Sequence, residues 1–175
     1  TPQLPVTINY LVKDKSRAID WLRAHHQEFP WMFFPREIEA ACRNGHIFTV
    51  IEFEGNIIGY LKVGMDNVYI HDFDRIVRFP PGAAFVYDTF LLPAYRGKQV
   101  ALYALLKTME FLADKGYSKL WCHIEKWNGA SLGLLLKAGF RERGTIRFSR
   151  LLTLPLFIRD GYKPFSRWES FLATQ

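Results

Sequence analysis

The sequence predicts a single α/β domain of the α+β kind, with a mixed central sheet of about six to seven strands flanked by helices. Three observations carry this. Two apolar runs, His46–Phe53 and Ile57–Met65, are joined by the tight-turn signature Glu54-Gly55-Asn56 and read as a hairpin. Ala83–Leu92 is a nearly continuous apolar run, as expected of a strand buried on both faces. Two β–α–β passages then follow, over 83–125 and 118–148. The chain of 175 residues suits one core spanning 1–175, with its main motifs at 83–148 and a C-terminal extension at 151–175.

In chain order, Val6–Val12 alternates weakly and reads as a first strand. Asp14 to about Phe29 reads as a helix, with Ala18, Ile19, Leu22 and His25 on one side. The aromatic connector Phe29-Pro-Trp-Met-Phe-Phe-Pro35 leads to a short helix, Arg36–Arg43, closed by Asn44-Gly45. After the hairpin, Asp66–Gly82 reads as a long charged loop ending in Pro80-Pro81-Gly82. The helix after Ala83–Leu92 carries Leu102, Leu105, Leu106, Met109 and Leu112 at helical spacing, with Gly116 placed to end it. Ser118–Glu125 reads as a strand and Asn128–Ala138 as a helix with Gly139 past its end. Phe140–Phe148 and Leu151–Ile158 read as a closing strand pair.

Composition narrows the class. Hydrophobic content of 49% and aromatic content of 16% exclude a disordered chain. No apolar run reaches the roughly 18 residues of a spanning helix, and the opening Thr-Pro-Gln-Leu-Pro lacks the features of a secretion leader. Cys42 and Cys122 lie in apolar contexts without metal-type spacing and are expected as reduced, mostly buried thiols of a cytoplasmic protein. Of the net charge of +6, +5 lies from Lys137 onward. That bias fits a polyanionic ligand or surface, or a solvated basic face; no nucleic-acid partner is expected.

The run Asp88-Thr-Phe-Leu-Leu-Pro-Ala-Tyr-Arg-Gly-Lys-Gln-Val-Ala101 concentrates the chemistry. A strand ends at Pro93, a basic Gly-containing turn follows, and a helix starts almost at once. Free backbone N–H groups, the positive helix end, Arg96 and Lys98 converge there, which makes the turn an anion site suited to a pyrophosphate. His71-Asp72-Phe-Asp74 has the composition of a metal cluster without the spacing, and no metal is expected.

Pro93-Ala-Tyr-Arg96-Gly97-Lys98-Gln99-Val100-Ala101 resembles the coenzyme-A pyrophosphate loop of the GNAT N-acetyltransferase superfamily, Arg/Gln-x-x-Gly-x-Gly/Ala. Asn128-Gly-Ala-Ser131-Leu132-Gly-Leu134-Leu135-Leu136-Lys137-Ala-Gly139-Phe140 is similar to its second signature, Asn-x-x-Ala-x-x-Leu-Tyr-x-Lys-x-Gly-Phe. The resemblance covers about residues 6–148. It implies a GNAT-like fold and acetyl-CoA as co-substrate. It also implies direct attack by a primary amine on a small molecule, amino sugar or peptide, without a covalent enzyme intermediate. Arg96, Gly97, Lys98, Gln99, Val100 and Ala101 would then hold the pyrophosphate, and Leu91, Leu92 and Asn128 the pantetheine arm. Asp88 stands where many members carry a basic Glu, and His123 and Glu125 are alternative bases.

Two departures from the family pattern matter. Gln99 replaces a Gly, and is expected to serve through its N–H with a negative φ. Leu135 replaces the Tyr that protonates the departing thiolate, which leaves Tyr87, Tyr95, Tyr103 or water for that task. Rival readings are an acyltransferase for longer acyl-CoA or acyl-carrier donors, and a silent acyl-CoA-binding module. The tail reads as a last strand plus a closing helix, or as a surface that touches a membrane, a carrier protein or a second subunit of a homodimer.

Overall fold

The computed structural model describes residues 1–70, 75–151, 154–160 and 172–173. Strand β1 (Thr7–Leu11) is followed by helix α1 (Ser16–His25), a 3₁₀ turn at Pro30–Met32 and helix α2 (Pro35–Arg43). The hairpin β2 (Ile47–Phe53) and β3 (Asn56–Met65) follows, then short strands β4 (Asn67–Ile70) and β5 (Arg75–Arg78), and the long strand β6 (Ala83–Leu91). A 3₁₀ turn at Pro93–Tyr95 precedes helix α3 (Val100–Asp114). Strand β7 (Lys119–Cys122), helix α4 (Gly129–Lys137), strands β8 (Thr145–Leu151) and β9 (Leu154–Asp160), and a two-residue β10 (Leu172–Ala173) complete the order.

Among the described residues the main sheet has six strands in the order β1-β2-β3-β6-β7-β10, and β4-β5 and β8-β9 form separate two-stranded sheets. Only β6-β7 pairs in parallel; the remaining neighbours are antiparallel. The mixed sheet therefore matches the expected class. One face packs on α3 and α4 through Leu61, Val63, Ala84, Val86, Ala104, Leu105, Leu112 and Leu135. The opposite face takes α1, the Pro30–Met32 turn and α2 through Leu22, Met32, Ile38, Ala41, Phe48, Tyr60 and Phe90. Apolar burial on both faces, about 25 cal/mol per Å², is the main term holding the layers together.

Several expectations need correction. The stretch 66–82 is not wholly loop: Asn67–Ile70 pairs antiparallel with Arg75–Arg78, and Val68, Ile70 and Val77 are buried. Val68 and Ile70 alternate inward along β4 and Val77 is the buried residue of β5, so the flanking charges disguised two short strands. The second β–α–β passage does not close within the main sheet. β8 pairs with β9, and Leu172–Ala173 lies beside β7 instead. Cys42 is exposed, because α2 points Glu37, Ile38 and Ala41 inward and the next residue is turned about 100° away. Leu106 is exposed for the same reason on α3. The His71–Asp74 cluster and any closing helix over 161–171 lie outside the described residues. No helix of the described residues is long and apolar enough to cross a membrane.

Candidate functional site: a split between two parallel strands

β6 and β7 are paired only from Ala83↔Lys119 to Val86↔Cys122. Beyond that point β6 continues through Tyr87–Leu91 while β7 has ended, so the strands part and, among the described residues, that edge of β6 has no strand beside it. The same place carries a β-bulge. Opposite β3, Val63 pairs with Val86 but Lys62 pairs with Asp88, so Tyr87 is the extra residue. Bulges re-aim side chains by breaking the two-residue alternation. Before it, Phe85 points to the cluster under β4-β5, with Tyr87 packed against that cluster. After it, Phe90 points to the α1-α2 layer and Leu91 to the α3 layer. The shift thereby brings Tyr87 and Asp88 to one side of the sheet.

At the far end of β6 the chain enters the basic turn. Gly97 has φ +75°, in the left-handed region, and an added Cβ would meet open space, so its role is conformational and keeps that surface clear. Gln99 also adopts a positive φ, 60° with ψ 9°, where a negative value was expected. The turn needs the left-handed state that a Gly supplies freely, and Gln99 takes it at a cost of about 1 kcal/mol. The helix's first returning bond runs from the Tyr103 N–H to the Gln99 C=O (3.0 Å). The N–H groups of Gly97, Lys98, Gln99, Val100 and Ala101 therefore precede the internal ladder of α3.

Around this turn the side chains are committed to its shape. Arg96 donates through Nε to the Leu91 C=O (2.9 Å), and its guanidinium lies over Phe90, 5.3 Å from the ring centre. Lys98 donates from Nζ to the Ala94 C=O (3.1 Å) and lies over Tyr95. The Gln3 N–H reaches the Lys98 C=O (3.1 Å), tying the N-terminal segment to the loop. Leu92 gives its N–H to the Ile58 C=O (2.9 Å), on the β3 side of the strand. Gly59, paired with Leu91, allows that approach: a Cβ there would lie 2.5 Å from the Phe90 carbonyl oxygen.

Asn128 caps α4. Its Oδ1 accepts from the Ser131 N–H (3.1 Å), which leaves the Nδ2 donor for another partner. Leu135 is buried, 5% exposed, in the core with α3. His123 follows the last paired residue of β7 and its ring stacks on Phe85, with centres 5.7 Å apart. Glu125 is exposed, and its C=O accepts from the Asn128 N–H (2.9 Å). Tyr95 lies in the turn near Phe53, whereas Tyr103 sits beside Lys107 on α3.

Asp88 belongs to a polar cluster that the sequence reading did not assemble. Its Oδ2 accepts from Tyr60 Oη (2.7 Å) and pairs with Lys62 Nζ at 2.8 Å. The same ammonium pairs with Glu37 Oε1 at 2.7 Å. Lys62 is wholly buried and the Glu37 side chain is 7% exposed, while that of Asp88 is 22% exposed and forms the accessible end. Burial is the largest single influence on Lys62 and lowers its pKa. Asp88 and Glu37 together outweigh it, so the net shift is upward and the amine stays charged. Burial, followed by Asp88, holds the Tyr60 phenol well above its usual range. Burial, then Glu37 and Asp88, does the same for Tyr87. Tyr87 Oη lies 3.2 Å from His46 Nδ1, and the other ring nitrogen lies 3.0 Å from the Asn67 C=O. Burial pushes His46 down to about 4. A Lys inside the apolar strand Ile57–Met65 was the one signal in the sequence that could have pointed to this cluster.

The parallel-strand split, the basic turn at one end and the polar cluster beside it lie together along β6 and form the candidate site. The Acetyltransferase (GNAT) family model matches residues 14–140, and the chain belongs to that family of acetyltransferases. It is 26% identical over 152 residues to "Uncharacterized N-acetyltransferase YycN" of Bacillus subtilis (strain 168), covering 85% of this chain and 90% of that protein. Among solved structures, an aminoglycoside acetyltransferase, AAC(6')-Iy, in complex with a bisubstrate analogue superposes with TM-score 0.63 at 19% identity, over 83% of this chain and 97% of that one. A putative phosphinothricin N-acetyltransferase gives TM-score 0.63 at 17% identity, over 97% and 98%. An IAA acetyltransferase from Bacillus cereus gives 0.61 at 15%, again over 97% and 98%. These structural likenesses concern the fold.

Proposed function

We propose that the chain moves an acetyl group from acetyl-CoA directly to a primary amine of a small molecule, amino sugar or peptide. The observation that carries this reading is the parting of β6 from β7 after Val86↔Cys122, with the basic turn at its end. Bound acetyl-CoA would supply an activated thioester. The N–H groups of Gly97 to Ala101, aided by the cations Arg96 and Lys98, suit its pyrophosphate. The open edge of β6 near Leu91 and the Nδ2 donor of Asn128 suit the amides of the pantetheine arm from two sides. Leu92, whose N–H is already bonded to Ile58, contributes by packing.

Asp88 is the proton acceptor for the amine. As the new C–N bond forms and the C–S bond breaks, one amine proton passes to its carboxylate. His123 and Glu125 flank the split as alternatives. Tyr87 keeps its proton at neutral pH, and buried Leu135 has no proton to give. The departing thiolate takes its proton from water or from one of Tyr87, Tyr95 and Tyr103.

Two measurements test this. Acetyl-CoA at a hundred times its Kd should stabilise the protein by about 2.7 kcal/mol in a thermal-shift series that includes free CoA and longer acyl-CoAs. Absence of stabilisation by every CoA ligand ends the reading, and a preference for a long chain redirects it. Free-thiol release with a panel of amines should fall at least tenfold in Asp88→Asn. An unchanged rate removes Asp88 from the mechanism.

A further inference from the structure

The cluster behind Asp88 extends the proposed reaction and rests on the reading of Asp88 as the amine's proton acceptor. We propose that Lys62 and Glu37 are positioning residues for Asp88, fixing one of its oxygens and setting, in opposite directions, how tightly it holds a proton.

The geometry divides the carboxylate into two halves. Oδ2 is held by Tyr60 Oη at 2.7 Å and Lys62 Nζ at 2.8 Å. Oδ1 has no hydrogen-bond partner among the described residues. Such an arrangement keeps one oxygen fixed by donors and leaves the other within reach of an incoming amine proton. Lys62 cannot swing away, because its ammonium is also held by Glu37 Oε1 at 2.7 Å and lies 3.4 Å from the Met32 C=O. The bulge at Tyr87 sets Asp88 opposite Lys62 in the β3-β6 ladder, so the pairing is built into the sheet.

Electrostatics then fixes the sign. A cation 2.8 Å away in a buried setting attracts the Asp88 carboxylate, whereas Glu37 competes for that cation and adds negative charge. The groups facing Asp88 are Lys62 and Tyr60 from β3, Glu37 from α2 and its neighbour Tyr87, which is backed by His46. Both tyrosines stay neutral across the working pH range, as does His46 above about pH 4. Lys62 and Glu37 therefore hold the charges that tune Asp88.

The test combines a direct titration with kinetics on the full chain. The Asp88 carboxyl is followed by ¹³C NMR in protein labelled at aspartate, its signal assigned by its loss in Asp88→Asn. Lys62→Met should raise the Asp88 midpoint by about one pH unit or more, and Glu37→Gln should lower it. The double variant Glu37→Gln/Lys62→Met should lie between, and it keeps the test open if the single Lys62 variant does not fold. Lys62→Arg should restore the wild-type midpoint. With acetyl-CoA and spermidine, tyramine or an alanine-initiated peptide as probe amines, the acidic limb of kcat/KM should move with each midpoint. Midpoints that stay put, or move the same way in both single variants, overturn the proposal. Midpoints that move while the acidic limb stays fixed overturn it as a statement about the reaction. Midpoints that move as stated in a protein transferring acetyl to no amine would uphold the electrostatic coupling and reject the reading of the reaction.

Discussion

Along the basic turn, the groups that would meet a ligand are main-chain donors, N–H groups of consecutive residues from Gly97 to Ala101. On the α2 side of β6 the accessible group is the Asp88 carboxylate, backed by buried side-chain charges from separate elements, Lys62 from β3 and Glu37 from α2. The first kind of site depends on local backbone shape and tolerates many side chains. The second depends on long-range packing and fails when one partner is lost. The contrast teaches where this protein is robust and where it is brittle.

The sharpest way to break the comparison is to remove the shared cation. Lys62→Met leaves two carboxylates facing each other in the core, and should cost about 3–5 kcal/mol in denaturant unfolding. A loss below about 1 kcal/mol would mean that the cluster is no more demanding than the turn.

A second test uses pH. His46, neutral when folded, has its pKa near 4 against about 6.5 unfolded. Between those values the unfolded chain binds more protons. Stability should therefore hold above pH 6.5 and fall, by about 3 kcal/mol from this group, as pH drops toward 4. The fall should be shallower in His46→Gln, as measured by urea midpoints across that range. Equal profiles would show that the Tyr87–His46 contact contributes nothing to the brittle side.

The smallest effect belongs to the turn. Gln99→Gly should stabilise by at most about 1 kcal/mol, relieving the left-handed φ while loosening the unfolded chain, and should keep or tighten acetyl-CoA binding. Calorimetric titration that shows weakened binding would mean that the Gln99 side chain itself participates.

The same contrast explains what could be read from the chain. The hairpin turn at Glu54-Gly55-Asn56, the turn Arg96-Gly97-Lys98 and the Asn128 cap are encoded within a few residues, and each appears in the fold near its expected place. Element ends shifted by a few residues, as at Ser16–His25 against 14–29, because packing decides where a helix stops. The β4-β5 strands were hidden by Arg75 and Arg78, charges that read as loop and that pair with Ile70 and Asn67 across the sequence. The Gln99 conformation was missed because residue type argued for negative φ while the turn's geometry required the opposite. The Glu37–Lys62–Asp88 cluster joins positions 25 to 51 residues apart, and a lone Lys inside an apolar strand hints at a buried partner without saying which. Asp88 was visible from its place in the motif, but its partners were not.

The extra residue at Tyr87 has one more consequence. The two halves of β6 run out of phase, like a sentence with one letter inserted midway. Every side chain beyond the insertion has changed sides, so the faces of Asp88, Phe90 and Leu91 are all set by one added position. Shortening the strand by that single residue would leave the composition of its second half untouched while exchanging what each face presents. The chemistry beside the split is therefore governed by a count of residues as much as by their kind.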